Sequence, residues 1–134
     1  MGLDEEERKS VVVYRLKRAK ETFAEVPFHI EHKFYKTAAN RLYYACFYAA
    51  TALLINDRYE AHTHGGVKIL LGLHYINNNK IANSLGKMYR QLFNLRQTGD
   101  YEDWTDIDED DIIPFVKPAE QFIATIENLI AENG

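Results

Sequence analysis

The sequence predicts an all-α protein, an up-and-down bundle of about five helices. Apolar residues recur at steps of three and four along most of the chain, and no stretch alternates apolar and polar as a half-buried strand does. One segment near the middle is apolar on most sides, as the centre of a bundle must be. At 134 residues, with 46% hydrophobic content, three Pro and seven Gly, the chain fits one compact domain over 1–134 with a single core.

The elements follow in order. Val12, Leu16, Ala19 and Phe23 step by four, three and four and predict a first helix from about Asp4 to Glu25, stopped by Pro27. A second, from about Lys33 to Ile55, carries Ala38, Leu42, Ala45, Ala49 and Ala52 on one stripe and Tyr43, Phe47, Ala50 and Leu54 on another. Its alanines permit close helix approach, so it is expected at the centre, with part of it facing a second subunit. Thr63 can cap a short third helix through Val67, Leu70, Leu71 and Tyr75. INNNK breaks the pattern. Leu85, Met88, Leu92 and Leu95 then carry a fourth helix from about Asn83 to Gly99. The acidic DYEDWTDIDEDD reads as a loop, and a last helix is expected at about Ile113 to Glu132, with Pro118 in its first turn.

Composition narrows the setting. Lone Cys46 sits among apolar neighbours and has no internal disulfide partner, which suits a buried thiol in a reducing compartment. The start MGLDEEERKS lacks the features of a signal peptide, and the apolar run Thr37 to Ile55 contains Asn40 and Arg41, so a cytoplasmic protein with no membrane span is expected. Charge is polarised: residues 1–99 hold 15 Lys and Arg against 9 acids, whereas residues 100–134 hold one Lys against 11 acids. YRLKRAK concentrates Arg15, Lys17, Arg18 and Lys20, as an anion-facing patch or as an ordinary solvated helix face.

Motifs for metal are weak. Asp106, Asp108 and Asp110 alternate as in a calcium loop, but Asp111 replaces the required Gly and Lys117 the bidentate Glu. The five His include no HExxH pattern, so neither metal nor cofactor is expected. THGGV brings a hydroxyl, an imidazole and two glycine amides to a helix start, where Thr63 as a plain cap accounts for most of the pattern.

FYKTAANRLYYACFYAATALL, then THGGV, then LFNLRQTGDYEDW, then an apolar C-terminal helix with AEQFIATI, together resemble the HEPN domain family in its branch of small stand-alone proteins. The resemblance covers nearly the whole chain in order. It implies a helical bundle that pairs into a homodimer, often encoded beside a minimal nucleotidyltransferase as a toxin and antitoxin pair. Many members of the wider family are metal-independent ribonucleases, with an Arg, usually followed by a polar residue, and then a His after four to six intervening residues, near the end of the fourth helix. Here Arg96 and Gln97 match, but the His is absent, and Asp100 and Tyr101 stand in its region. Arg58 and His64 meet the bare spacing in the wrong segment.

Cleavage through the ribose 2′-hydroxyl requires a base, an acid and a cation for the phosphorane charge. Arg96 offers the cation. Asp100, beside it, is a poor acid at neutral pH and repels phosphate. His64 can complete the set if the fold or a dimer brings it to Arg96. The expected site is a polar cleft in which Arg96 meets Asn40, Arg41 and Tyr44, with Gln97 and Tyr101 as further contacts to RNA or nucleotide. The alternatives are an ordinary ion pair of Arg96 with Asp100 at a helix end, a non-catalytic binding partner for the nucleotidyltransferase, and a non-catalytic helical dimer that senses nucleotides or serves as an interaction scaffold.

Overall fold

The computed structural model describes residues 2–99 and 107–133, and among them there is no strand. The helices are α1 (Glu5–Ala24), α2 (Val26–Glu31), α3 (Tyr35–Asn56), α4 (His64–Leu71), α5 (Asn83–Gly99) and α6 (Glu109–Asn133), and α4 runs on into one π turn, Gly72–Ile76. The expected all-α bundle is present.

α1 opens with a reciprocal cap. The Glu7 amide donates to Asp4 Oδ1 (2.8 Å) and the Asp4 amide to Glu7 Oε1 (3.0 Å), while Glu5, Glu6 and Glu7 put negative charge on the positive end of the helix. The end near Pro27 differs from expectation. Pro27 stands in the first turn of α2, where its missing N–H costs nothing. Six residues are too few to show an apolar period, which is why VPFHIE was not foreseen as a helix. α2 closes through Lys33 in the left-handed region (φ 63°), which lets the Phe34 amide reach the His29 carbonyl at 2.7 Å.

α3 is the axis of the bundle and touches α1, α2, α4, α5 and α6. Ala38, Leu42, Tyr43, Ala45, Cys46, Ala49, Ala50 and Leu53 are all buried. Within one chain these residues are covered by the surrounding helices, while Tyr44, Phe47 and Tyr48 on the same helix remain partly open. The large apolar side chains left exposed lie elsewhere, among them Val13 and Tyr14 on α1 and Ile69 and Leu73 on the α4 segment.

Thr63 caps α4, its hydroxyl accepting the Gly66 amide at 2.9 Å. The π turn is closed by Asn77 N–H to the Gly72 carbonyl (3.0 Å), and it aims the Tyr75 hydroxyl at Asp57 Oδ2 (2.5 Å). Gly86 lets α5 pass close to this turn, since a Cβ there would lie 2.6 Å from Ile76 Cδ1.

α6 begins four residues before the expected start. Glu109, Asp110 and Asp111 form its first turn, where the helix dipole favours acids, so this end of the acidic stretch is helix and not loop. Pro114 and Pro118 consequently sit inside the helix, each forgoing one backbone hydrogen bond. No helix among the described residues is long and apolar enough to cross a membrane.

Ala49 is fully enclosed, so Ala49→Glu places an unpaired charge in the core. The expected loss is on the order of 4 kcal/mol. Thermal denaturation followed by circular dichroism checks this, and an unchanged melting temperature would displace α3 from the centre.

Candidate functional site

Two neighbouring tyrosines on α3 assemble the site. Tyr43 is buried and Tyr44 half-buried, so the pair spans the boundary between core and solvent. Tyr43 packs on Tyr89 (5.8 Å between ring centroids) and Phe93 (6.1 Å) from α5, and its hydroxyl shares a 2.8 Å hydrogen bond with His64 Nδ1. His64 is the first residue of α4 and stacks on Phe47, with ring centroids 4.3 Å apart. Thr63 fixes this helix start, and through it the imidazole.

Arg96 arrives from the last turn of α5. Its guanidinium lies 5.6 Å from the ring centroids of both Tyr43 and Tyr44, and Nη2 donates to the Tyr44 hydroxyl at 3.2 Å. His64 also meets the Tyr44 ring edge-on at 5.7 Å. Arg96 and His64, thirty-two positions apart in the chain, thus share the same two rings.

Arg41 covers Tyr44 at 5.5 Å and donates from Nε and Nη2 to Asn40 Oδ1 (3.1 and 2.7 Å). Asn40 therefore turns to Arg41, and among the described residues Arg96 lies against the rings of Tyr43 and Tyr44. Gln97 is exposed. Asp100 and Tyr101 lie outside the described residues. Arg58, the other arginine at motif spacing from His64, pairs with Glu5 on α1.

Sequence reasoning did not assign Tyr43, Phe47, Phe93 and Lys68 to the site. Lys68, one turn after His64, holds its Nζ 4.2 Å from the Phe93 ring centroid and adds a third cation beside Arg41 and Arg96. The tyrosine doublet and the THGG helix start were the available signals, but helical spacing alone reads such rings as core. Among the described residues no group of three or more His, Cys, Asp or Glu is placed to hold a metal ion.

The electrostatics follow from this packing. Burial, and then the positive charge of Arg96, hold the His64 imidazole below its ordinary range, so His64 is neutral at neutral pH. Burial pushes the Tyr43 phenol up to about 12, so it keeps its proton. The site therefore presents cations, a neutral imidazole able to accept a proton, and a phenol that holds it in place. Such a surface favours a phosphate-bearing ligand.

The HEPN domain model matches residues 12–129, almost the whole bundle. The chain belongs to the HEPN domain family. A UPF0332 protein of Thermotoga maritima is 30% identical over 126 residues, covering 94% of this chain and 96% of that protein. A protein of Methanocaldococcus jannaschii whose name marks it as a candidate toxin is 31% identical over 115 residues, covering 85% of this chain and 84% of its own. A UPF0332 protein of Archaeoglobus fulgidus is 26% identical over 126 residues, covering 89% and 94%.

The depressed His64 pKa has two causes that can be separated. In a proton NMR titration the His64 midpoint is expected below the ordinary value of about 6.5. In Arg96→Ala it should rise only part of the way, because burial, the larger cause, remains. An unmoved midpoint would place Arg96 too far from the imidazole to act on it.

Proposed function

We propose that this HEPN protein is a toxin-like, RNA-acting subunit whose site is formed by Arg96 and His64, and that it works with a minimal nucleotidyltransferase as its partner. The observation that carries the reading is the meeting of Arg96 and His64 on the rings of Tyr43 and Tyr44. The His missing from the linear motif after Arg96 has a spatial substitute. Relatives named as candidate toxins support the toxin-like part, and the family resemblance supports the partner.

The chemistry uses this chain's own groups. When Nδ1–H donates to the Tyr43 oxygen, Nε2 keeps its lone pair and takes the proton of a ribose 2′-hydroxyl. The 2′-oxygen then bonds to phosphorus and the bond to the 5′-oxygen breaks, leaving a 2′,3′-cyclic phosphate on one product. Water supplies the proton to the leaving 5′-oxygen. Arg96 stabilises the added charge on the phosphorane oxygens. With His64 as base, the rate falls as pH drops through its lowered pKa and is level above it.

Incubating the protein with labelled RNA in excess chelator should give cyclic-phosphate ends. Loss of the cation in Arg96→Ala should slow cleavage at least about 100-fold, and loss of the base in His64→Ala should do so to a similar degree. The melting temperature should change little in Arg96→Ala, whereas His64→Ala, which leaves the buried Tyr43 hydroxyl without this partner, should cost about 1–3 kcal/mol while still folding. Wild-type rates in both variants would remove the site; RNA binding without cleavage by the wild type would leave a non-catalytic binding protein.

A second copy belongs to the proposal. It is supported by the family resemblance and by the apolar side chains exposed on α1 and on the α4 segment. Light scattering at micromolar concentration should give a particle of twice 15.6 kDa. A 15.6 kDa particle would remove the dimer.

A further inference from the structure

Tyr44 connects the site to a second row of side chains. Its ring centroid lies 6.0 Å from that of Tyr48, one turn further along α3, and Arg18 of α1 places its guanidinium 5.1 Å from the Tyr48 ring centroid. One turn back on α1, Arg15 donates from Nη1 to Thr51 Oγ1 (3.0 Å), which lies one turn beyond Tyr48. Arg41 and Arg96 stand at the other end, over Tyr44. Three helices thus contribute to a single strip in which two half-buried phenol rings lie between arginines. Arg15, Arg18, Arg41, Tyr44 and Tyr48 all remain partly open to solvent.

Arginines often lie over aromatic rings merely to shield apolar surface. Two features of this strip go beyond that. It is continuous with the Arg96 and His64 rings, and its cations come from a region of the chain with net positive charge. A row of rings overlaid by guanidinium groups suits an unpaired strand: bases stack on planar guanidinium groups as they do on rings, and phosphates meet the N–H donors. A duplex has no free base faces to offer.

We propose that this strip is the path of single-stranded RNA, running from the Arg96 and His64 site over Tyr44 and Tyr48 to Arg18 and Arg15. The inference rests on the RNA-acting reading of that site and names the form of RNA it takes. Glu21, one turn from Arg18 on the side away from Arg15, is an acid near enough to act on that guanidinium and lies beside the strip, where it offsets part of its positive charge.

Fluorescence anisotropy tests the path with a short labelled oligouridine, 2′-O-methylated so that it cannot be cleaved, and a labelled RNA duplex of the same length. The wild type should prefer the single strand. Loss of one stacking ring in Tyr48→Ser should weaken binding about tenfold, while Tyr48→Phe, which keeps the ring, should bind as the wild type does. Loss of one phosphate contact in Arg18→Gln should weaken binding and lower the slope of log affinity against log salt by roughly 0.7. Should Tyr48→Ser fail to fold, Arg18→Gln decides alone. Wild-type affinity and salt slope in Arg18→Gln, or equal affinity for duplex and single strand, would overturn the path. The two readings also separate. If these variants bind normally while Arg96→Ala abolishes cleavage, the path falls and the site stands. If they bind weakly while Arg96→Ala cleaves at the wild-type rate, the path stands and the site falls.

Discussion

A hydroxyl taken into the core of a protein loses its water partners, and in this one the Tyr43 hydroxyl recovers a hydrogen bond from His64. Most of the site's order follows from that single bond. Tyr43 is held by α3 in the middle of the bundle, so the imidazole that answers it has its Nδ1 fixed by the most enclosed element of the fold. The same ring receives Arg96 from α5. The two side chains of the proposed site, from distant parts of the chain, are therefore located by one buried phenol, and both stand on helices.

This sharing has an energetic side. Tyr43 and Phe93 are at once core and site, and removing either ring takes away buried apolar surface as well as the wall on which a cation rests. Arg96 stands at the edge of that wall, where replacement disturbs charge more than packing, whereas loss of His64 also leaves the Tyr43 hydroxyl without its partner.

How much of this was legible in the sequence depends on the length of the signal. α1, α3 and α5 have seventeen or more residues each, enough for the apolar period to show, and their ends fall close to where capping residues and breakers place them. α2 is one turn and a half and left no period. The start of α6 was hidden because acids serve a helix N-terminus and a solvated loop equally well. In the site, Arg96 could be found from its motif, but the approach of His64 could not. Spacing along the chain carries no information about a meeting made by packing α4 and α5 against one face of α3. Tyr43 and Phe47 lay on the stripes that mark core, and core is part of what they are.

Cys46 lies on α3 among the alanines, fully enclosed, and burial pushes its thiol well above the usual range. A sulfur in that condition is chemically silent, because the thiolate that reacts is neither formed nor reachable. It becomes reachable when α3 parts from its neighbours, so the speed at which a thiol reagent marks this protein reports how often the bundle breathes at its most tightly closed point. With a single cysteine in the chain, the reading is free of any second source. One sulfur atom serves as a clock for the opening of the whole fold.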